Sequence, residues 1–362
     1  MSNTILVSTR KGLMVFGRGP KGWKHKKTHF LGSPTSLALA DAKGKTIFAA
    51  LNLGHFGVKM HRSLDGGKTW KELPAPQYPK VEGGEKDDKA PALKGIWALE
   101  WAGPDKPKGL WCGTAPGGLF YSSDLGETWT LNTGLWNMPE RKKWFGGGTE
   151  HPALHSICVD PRNSNRVAIG VSCGGVRVTE DGGKTWTVGS LGMRAEFMPP
   201  EQAGDPDIQD VHMVVQCPAA PDVYWTQHHN GIFRSTDNLK SWQEIKNAPV
   251  SAFGFPVAVH PNDPKTAWFV PAVKDENRYP KGGNVVVQRT TDGAKTWTVL
   301  KKGLPQGNAF DLVYRHGLCV DNTGKRLAMG STTGALWVSE NAGDAWKLLT
   351  AHLPPIYAVR FG

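Results

Sequence analysis

Cysteine is scarce in this chain: 5 among 362 residues, none in C-x-x-C spacing. A disulfide framework and a cysteine zinc finger are both excluded by that count. No uninterrupted apolar run approaches the roughly 18 residues of a membrane span, so no membrane partner is expected. The opening residues, Met1-Ser2-Asn3-Thr4-Ile5-Leu6-Val7-Ser8, carry no basic segment followed by a long apolar core. No secretory signal is read there, and a soluble, cytoplasmic protein is expected. Disorder is excluded as well, since 39% of residues are apolar and only 21% charged.

Acidic residues are the minority: 43 Lys and Arg stand against 32 Asp and Glu, a formal charge of +11. The lysines are dispersed in turns, as at Lys43, Lys45, Lys301 and Lys302. The densest basic run, Lys24-His25-Lys26-Lys27, is short and has no interleaved aromatics on which bases could stack. Nucleic acid is therefore not an expected partner.

What the chain does have is a repeat. Ser63-Leu64-Asp65-Gly66-Gly67-Lys68-Thr69-Trp70 recurs as Ser122-Ser123-Asp124-Leu125-Gly126-Glu127-Thr128-Trp129 and as Thr179-Glu180-Asp181-Gly182-Gly183-Lys184-Thr185-Trp186. Later copies vary: Leu239 replaces the glycine in Ser235 to Trp242, and Ala294 replaces it in Thr290 to Trp297. In Ser339 to Trp346, Asn341 stands for Asp and Ala345 for Thr. The six tryptophans are 59, 57, 56, 55 and 49 residues apart. Asp and Ser/Thr side chains can accept from backbone N–H groups a few residues on, and glycine supplies a positive φ, so each copy reads as a rigid turn. The tryptophan then opens the next strand and buries its ring against the neighbouring unit.

Between turns lie short β-branched and aromatic runs bounded by Gly, Pro and Asp. Examples are Ser156-Ile157-Cys158-Val159, Arg166 to Val171, and the third-strand series Gly118 to Tyr121, Gly175 to Val178, Gly231 to Arg234 and Gly334 to Trp337. Each period of about 55 residues thus reads as one four-stranded blade. The repeated segment resembles the Asp-box, or BNR repeat, of sialidase-like and sortilin-like β-propellers, and of poorly characterised bacterial propellers named as glycosyl hydrolases. That resemblance implies that the box joins the third and fourth strands of a blade. It implies a structural role for Asp65, Asp124, Asp181, Asp237 and Asp292. The predicted fold is an all-β, seven-bladed propeller forming a single domain over residues 1–362. Its seventh blade is split between residues 1–32 and 354–362, with Ile356 to Phe361 closing the ring against Thr4 to Ser8 and removing free sheet edges.

In such a ring the innermost strands begin at one face. Aligning their first residues gives Thr35, Trp97, His155, His212, Phe255, His316 and Ile356, three of them histidine. The loops after the second strands add His55, Cys173, His228 and His229, and His151 lies just upstream of His155. His155, His212, His229 and Glu150 are therefore the candidate acid/base residues. His155, His212, His228 and His316 are the candidate ligands of a divalent transition metal such as Zn, Mn, Fe or Cu. Arg10, Arg278 and Arg315, read as a second group on the side of the ring away from His155 and His212, offer planar donor forks for carboxylate, sulfate or phosphate. His55 and Trp144 complete the expected substrate-binding set. Three connections of about 22 residues, 74–95, 132–153 and 189–210, exceed ordinary loop lengths and point to function.

Two functions fit. The first is an enzyme, hydrolase or lyase, acting on a small anionic molecule or sugar derivative at the axial mouth. The second is a non-catalytic scaffold that grips a protein partner with the long loops. Sialidase activity is not expected, because the chain lacks the Arg-Ile-Pro segment of sialidases and is read with seven blades where they have six.

Overall fold

The computed structural model describes residues 2–79, 91–147 and 149–362, so residues 80–90 of the expected loop 74–95 lie outside it. Among the described residues the strands form seven four-stranded antiparallel sheets. The innermost strands are Thr35–Ala40, Gly95–Trp101, Leu154–Val159, Val211–Cys217, Gly254–His260, Leu318–Val320 and Ile356–Phe361. Each packs against the next to form a ring.

Position within a blade decides each strand's pattern. The second strands are covered on both faces by neighbouring blades, so Val167–Val171 is buried at every residue and shows no polar alternation. Blades approach so closely there that a Cβ at Gly113 would lie 2.4 Å from Leu154 Cδ2 and 2.7 Å from Leu154 O. Only glycine fits. Outermost strands face water, and Gly22–His29 exposes the whole basic run Lys24 to Lys27.

The repeated segments join third to fourth strands. In the first, Ser63 Oγ donates to Asp65 Oδ1 at 2.7 Å and accepts from Gly67 N at 2.8 Å. Asp65 in turn accepts from Thr69 N at 2.9 Å and Thr69 Oγ1 at 2.7 Å. Asp124, Asp181, Asp237 and Asp292 hold the same bonds. Asn341 keeps the bonds from Ser339 Oγ at 2.9 Å and Ala345 N at 3.0 Å and loses only the hydroxyl that Thr or Ser supplies in the other copies. Where glycine is replaced, Leu239 (φ 67°) and Ala294 (φ 72°) still adopt the left-handed backbone that Gly183 (φ 93°) adopts freely. Trp186, Trp242 and Trp346 bury their rings beside the neighbouring blade, whereas Trp70, Trp129 and Trp297 are half-buried.

Ile356–Phe361 closes the ring. It pairs antiparallel with Thr4–Thr9, matching Ile5 to Phe361 and Val7 to Val359, and the sheet runs on through Gly12–Gly19 to Gly22–His29. Ile5, Val7, Phe16, Ile356 and Val359 share one apolar cluster, so the two ends of the chain bury each other.

Candidate functional site

The register at the start of the inner strands sets the site. In several blades the pairing skips one residue: Ile96 and Ala98 have partners while Trp97 has none, and Leu154 and Ser156 bracket His155. Val211 and Met213 likewise bracket His212, and Phe255 falls in the gap between Gly254 and Val257. Such bulges re-aim a side chain, here towards the axis. Two positions of the sequence alignment are off by one. The bulged residues are Ser36, not Thr35, and Tyr357, not Ile356. Thr35 and Ile356 point into the core, because successive strand residues face opposite sides. Ser36, Trp97, His155, His212, Phe255, His316 and Tyr357 all line axial cavities.

Two of these cavities adjoin. One, of about 530 Å³, is lined by Phe145 and Gly147 of loop 132–153, Glu196, Phe197 and Asp210 of loop 189–210, and His212, His229, Phe253, Phe255 and Arg278. The other, of about 920 Å³, is lined by Trp97, Tyr314, His316, Tyr357 and Phe56. Gly147, Arg278 and Arg315 belong to both.

The chemistry concentrates on Asp210, His212 and His229, whose donor atoms lie within 4.8 Å of one another. Asp210 Oδ2 is 3.5 Å from His212 Nε2 and 3.3 Å from His229 Nδ1. Burial opposes its ionisation, yet the two imidazoles and the Arg315 charge hold the carboxyl well below its usual range. His212 Nδ1 donates to Gly254 O at 2.6 Å, and the ring stacks on Phe255 at 4.7 Å. Burial pulls the His212 pKa down against the pull of Asp210. For His229, burial is outweighed by Asp210 and the pKa rises.

Arg315 lies over Trp97 at 5.3 Å and Phe255 at 5.7 Å. No carboxylate of the described residues reaches it within ion-pair distance, and its Nε is buried without a partner. Arg278 pairs with Asp275 and also lies over Phe255, at 5.5 Å. The two arginines share a cavity with His212 and His229, instead of standing away from them. Arg10 is exposed and lines neither cavity.

His155 is fully buried, bonded to Ser156 Oγ at 2.9 Å, and lines a deeper axial cavity with Glu100, Met213 and Arg360. His316 reaches both that cavity and the 920 Å³ one, and burial lowers its pKa to about 3. His228 is buried edge-on to Phe233, its Nδ1 accepting from Asn230 N, and burial again lowers its pKa to about 3. His155, His228 and His316 are thus outside the group that includes His212. Glu150 is 82% exposed beside His151. His55 is exposed against Phe56, and Trp144 is packed in the core under Arg141. Cys173 lines the 530 Å³ cavity, but burial pushes its thiol far up, away from nucleophile character. Asp210, among the loop carboxylates of the sequence, is the residue around which the site is built. Phe253, Lys274, Asp275 and Glu276 are not singled out by the sequence, although the loop between Pro271 and Val287 that carries the last three also carries Arg278.

No protein-family profile matches the chain. Over 288 residues it is 26% identical to the "Probable oligoxyloglucan-reducing end-specific xyloglucanase" of Neosartorya fischeri, covering 72% of this chain and 33% of that one. The chain therefore spans only about a third of that relative's length. An ancestral GH74 enzyme superposes with a TM-score of 0.61 at 18% identity, over 86% of this chain and 38% of that one. YCF48 from Cyanidioschyzon merolae gives 0.57 at 15% identity, over 94% and 96%. YCF48 bound to D1 peptide gives 0.51 at 14%, over 87% and 82%. At these identities the likeness is one of fold: a seven-bladed β-propeller with GH74-like neighbours.

Proposed function

We propose that the axial mouth binds an anionic sugar derivative, or a comparable small acid, and acts on it as a hydrolase or lyase. The observation that carries this reading is Arg315. It is a cation at the junction of two cavities, flanked by aromatic rings and, among the described residues, without a carboxylate in ion-pair reach. A site that holds such a charge on an apolar platform is suited to an incoming carboxylate, sulfate or phosphate. Trp97, Tyr314 and Tyr357 offer faces for a sugar ring in the larger cavity. Both volumes fall within the usual range for small-molecule sites. Asp210, His212 and His229 line the 530 Å³ cavity together with Arg315 and are placed to support the base that either reaction needs. The xyloglucanase relative supports a sugar as substrate. We further read the repeated turns as Asp-boxes with a structural role, supported by the bonds that Asp65 and its counterparts make within each turn.

The test is calorimetric titration with a uronic-acid disaccharide and with a neutral xyloglucan oligosaccharide. Binding of the acidic sugar, weakened at least tenfold in Arg315→Gln, is expected; a charge-assisted hydrogen bond contributes about 1.5–3 kcal/mol. Preference for the neutral sugar, with no change in Arg315→Gln, contradicts the reading.

A further inference from the structure

We propose that Asp210, His212 and His229 hold one divalent transition-metal ion at the floor of the mouth. Three independent features of the geometry point to it.

The first is spacing. Asp210 Oδ2 stands 3.5 Å from His212 Nε2 and 3.3 Å from His229 Nδ1. Both distances exceed the usual N–H···O hydrogen-bond range of about 2.7–3.2 Å. Two donors each about 2.1 Å from one ion, at angles of roughly 90–109°, lie about 3.0–3.4 Å apart. The 3.3 Å separation falls within that range and the 3.5 Å separation lies about 0.1 Å beyond it, closer to shared ligation than to a direct hydrogen bond.

The second is the direction of the His212 ring. Gly254 O can only accept, so the 2.6 Å contact fixes the hydrogen on Nδ1. Nε2 is then the ring nitrogen that faces Asp210 Oδ2, and both atoms are free to ligate one ion while Nδ1 keeps its bond to Gly254. A metal-ligating histidine characteristically gives its other N–H to a backbone carbonyl in this way. Phe255 stacked on the ring, and Phe253 edge-on to both His212 and His229, lock the two imidazoles in place.

The third is access and charge. The trio opens onto the 530 Å³ cavity, leaving room for water and substrate on the ion's free side, as two histidines and one carboxylate do in open metal sites. The cavity carries four carboxylates (Glu196, Asp210, Asp275, Glu276) against three Lys and Arg side chains (Lys274, Arg278, Arg315). This inference deepens the reading of the mouth as an acid-sugar enzyme: an ion held by the trio would lower the pKa of a bound water, which on losing its proton to solvent would supply hydroxide as the base, while the anion of the substrate rests on Arg315.

The experiment titrates chelator-treated, full-length protein with Zn²⁺ by calorimetry and with Co²⁺ by visible absorption, without any substrate. One equivalent is expected to bind, with affinity at least tenfold lower in Asp210→Asn and in His229→Ala, and unchanged in His25→Ala on an outermost strand. Thermal melting of each variant in the absence of metal checks that it remains folded. Failure of wild-type protein to bind a stoichiometric ion, or equal binding in folded Asp210→Asn and His229→Ala, overturns the proposal. Metal binding without any acidic-sugar binding upholds it and removes the substrate reading instead, so the two fail separately.

Discussion

A carboxylate, Asp210, and a guanidinium, Arg315, share the 530 Å³ cavity and act on each other's charge. Asp210 was visible in the sequence only as one acidic residue among several on loop 189–210. Nothing in spacing tells which loop carboxylate turns inward, because loops from different blades meet in space and not along the chain. His212, Trp97, Arg278 and Arg315 were legible, since the blade period fixes where inner strands and their flanking loops begin. The same reasoning slipped by one residue at Thr35 and Ile356, because a bulge changes which of two neighbours faces the axis. It also grouped His155, His228 and His316 with His212, although strand position says nothing about the depth at which a ring sits. Two substitutions separate these cases. Trp97→Ala is expected to weaken acidic-sugar binding about tenfold by removing the face under Arg315. Glu150→Gln, at an exposed side chain beyond the cavities, is expected to leave binding unchanged, and calorimetry reads both.

At the scale of the blade, the turn and its tryptophan are the unit of stability, and this was the most legible part of the chain. The turn is written in contiguous residues, so its hydrogen bonds follow from local sequence alone. Trp186 is buried and donates from Nε1 to Asn132 Oδ1 at 3.0 Å, tying one blade to the next. Trp186→Ala is expected to destabilise by about 3–5 kcal/mol in chemical denaturation. Gly183 has φ 93°, and a Cβ there would lie 2.2 Å from Asn132 Nδ2. Gly183→Ala is therefore expected to cost about 1–3 kcal/mol, measured the same way. The turn carboxylates also set an acid limit. Burial opposes ionisation of Asp124, but the Thr128 hydroxyl and amide and the Ser122 hydroxyl bring its pKa down from 3.8 to about 2. The Thr296 hydroxyl and amide do the same for Asp292. A folded pKa below the unfolded one gives stability that is present above about pH 4 and lost as pH falls towards 2. The midpoint of thermal unfolding is expected to be flat with respect to these groups above pH 4 and to drop steeply between pH 4 and pH 2.

At the scale of the molecule, closure of the ring brings Arg278, Arg315, Trp97 and Asp210, from loops and strands far apart in sequence, to one axis. Ile356–Phe361 completes that closure by pairing with Thr4–Thr9 over Ile5, Val7 and Val359. Removing residues 354–362 would open a sheet edge and expose this cluster, so the truncated chain is expected to aggregate or unfold on size-exclusion chromatography and circular dichroism. Closure was foreseeable because the N-terminal blade lacked one strand and the C-terminus supplied one. The depth and joining of the two cavities were not, since they depend on how four loops pack together.

The most direct test of the whole account is product analysis. Wild-type, Asp210→Asn and Arg315→Gln proteins would each be incubated with a mixture of acidic and neutral oligosaccharides, and the products identified by mass spectrometry. Conversion of acidic members by wild-type protein, lost in Asp210→Asn and reduced at least tenfold in Arg315→Gln, is the expected result. No conversion by folded wild-type protein supplied with Zn²⁺ or Mn²⁺, or conversion of neutral members alone at equal rates by wild-type and Arg315→Gln proteins, would contradict it.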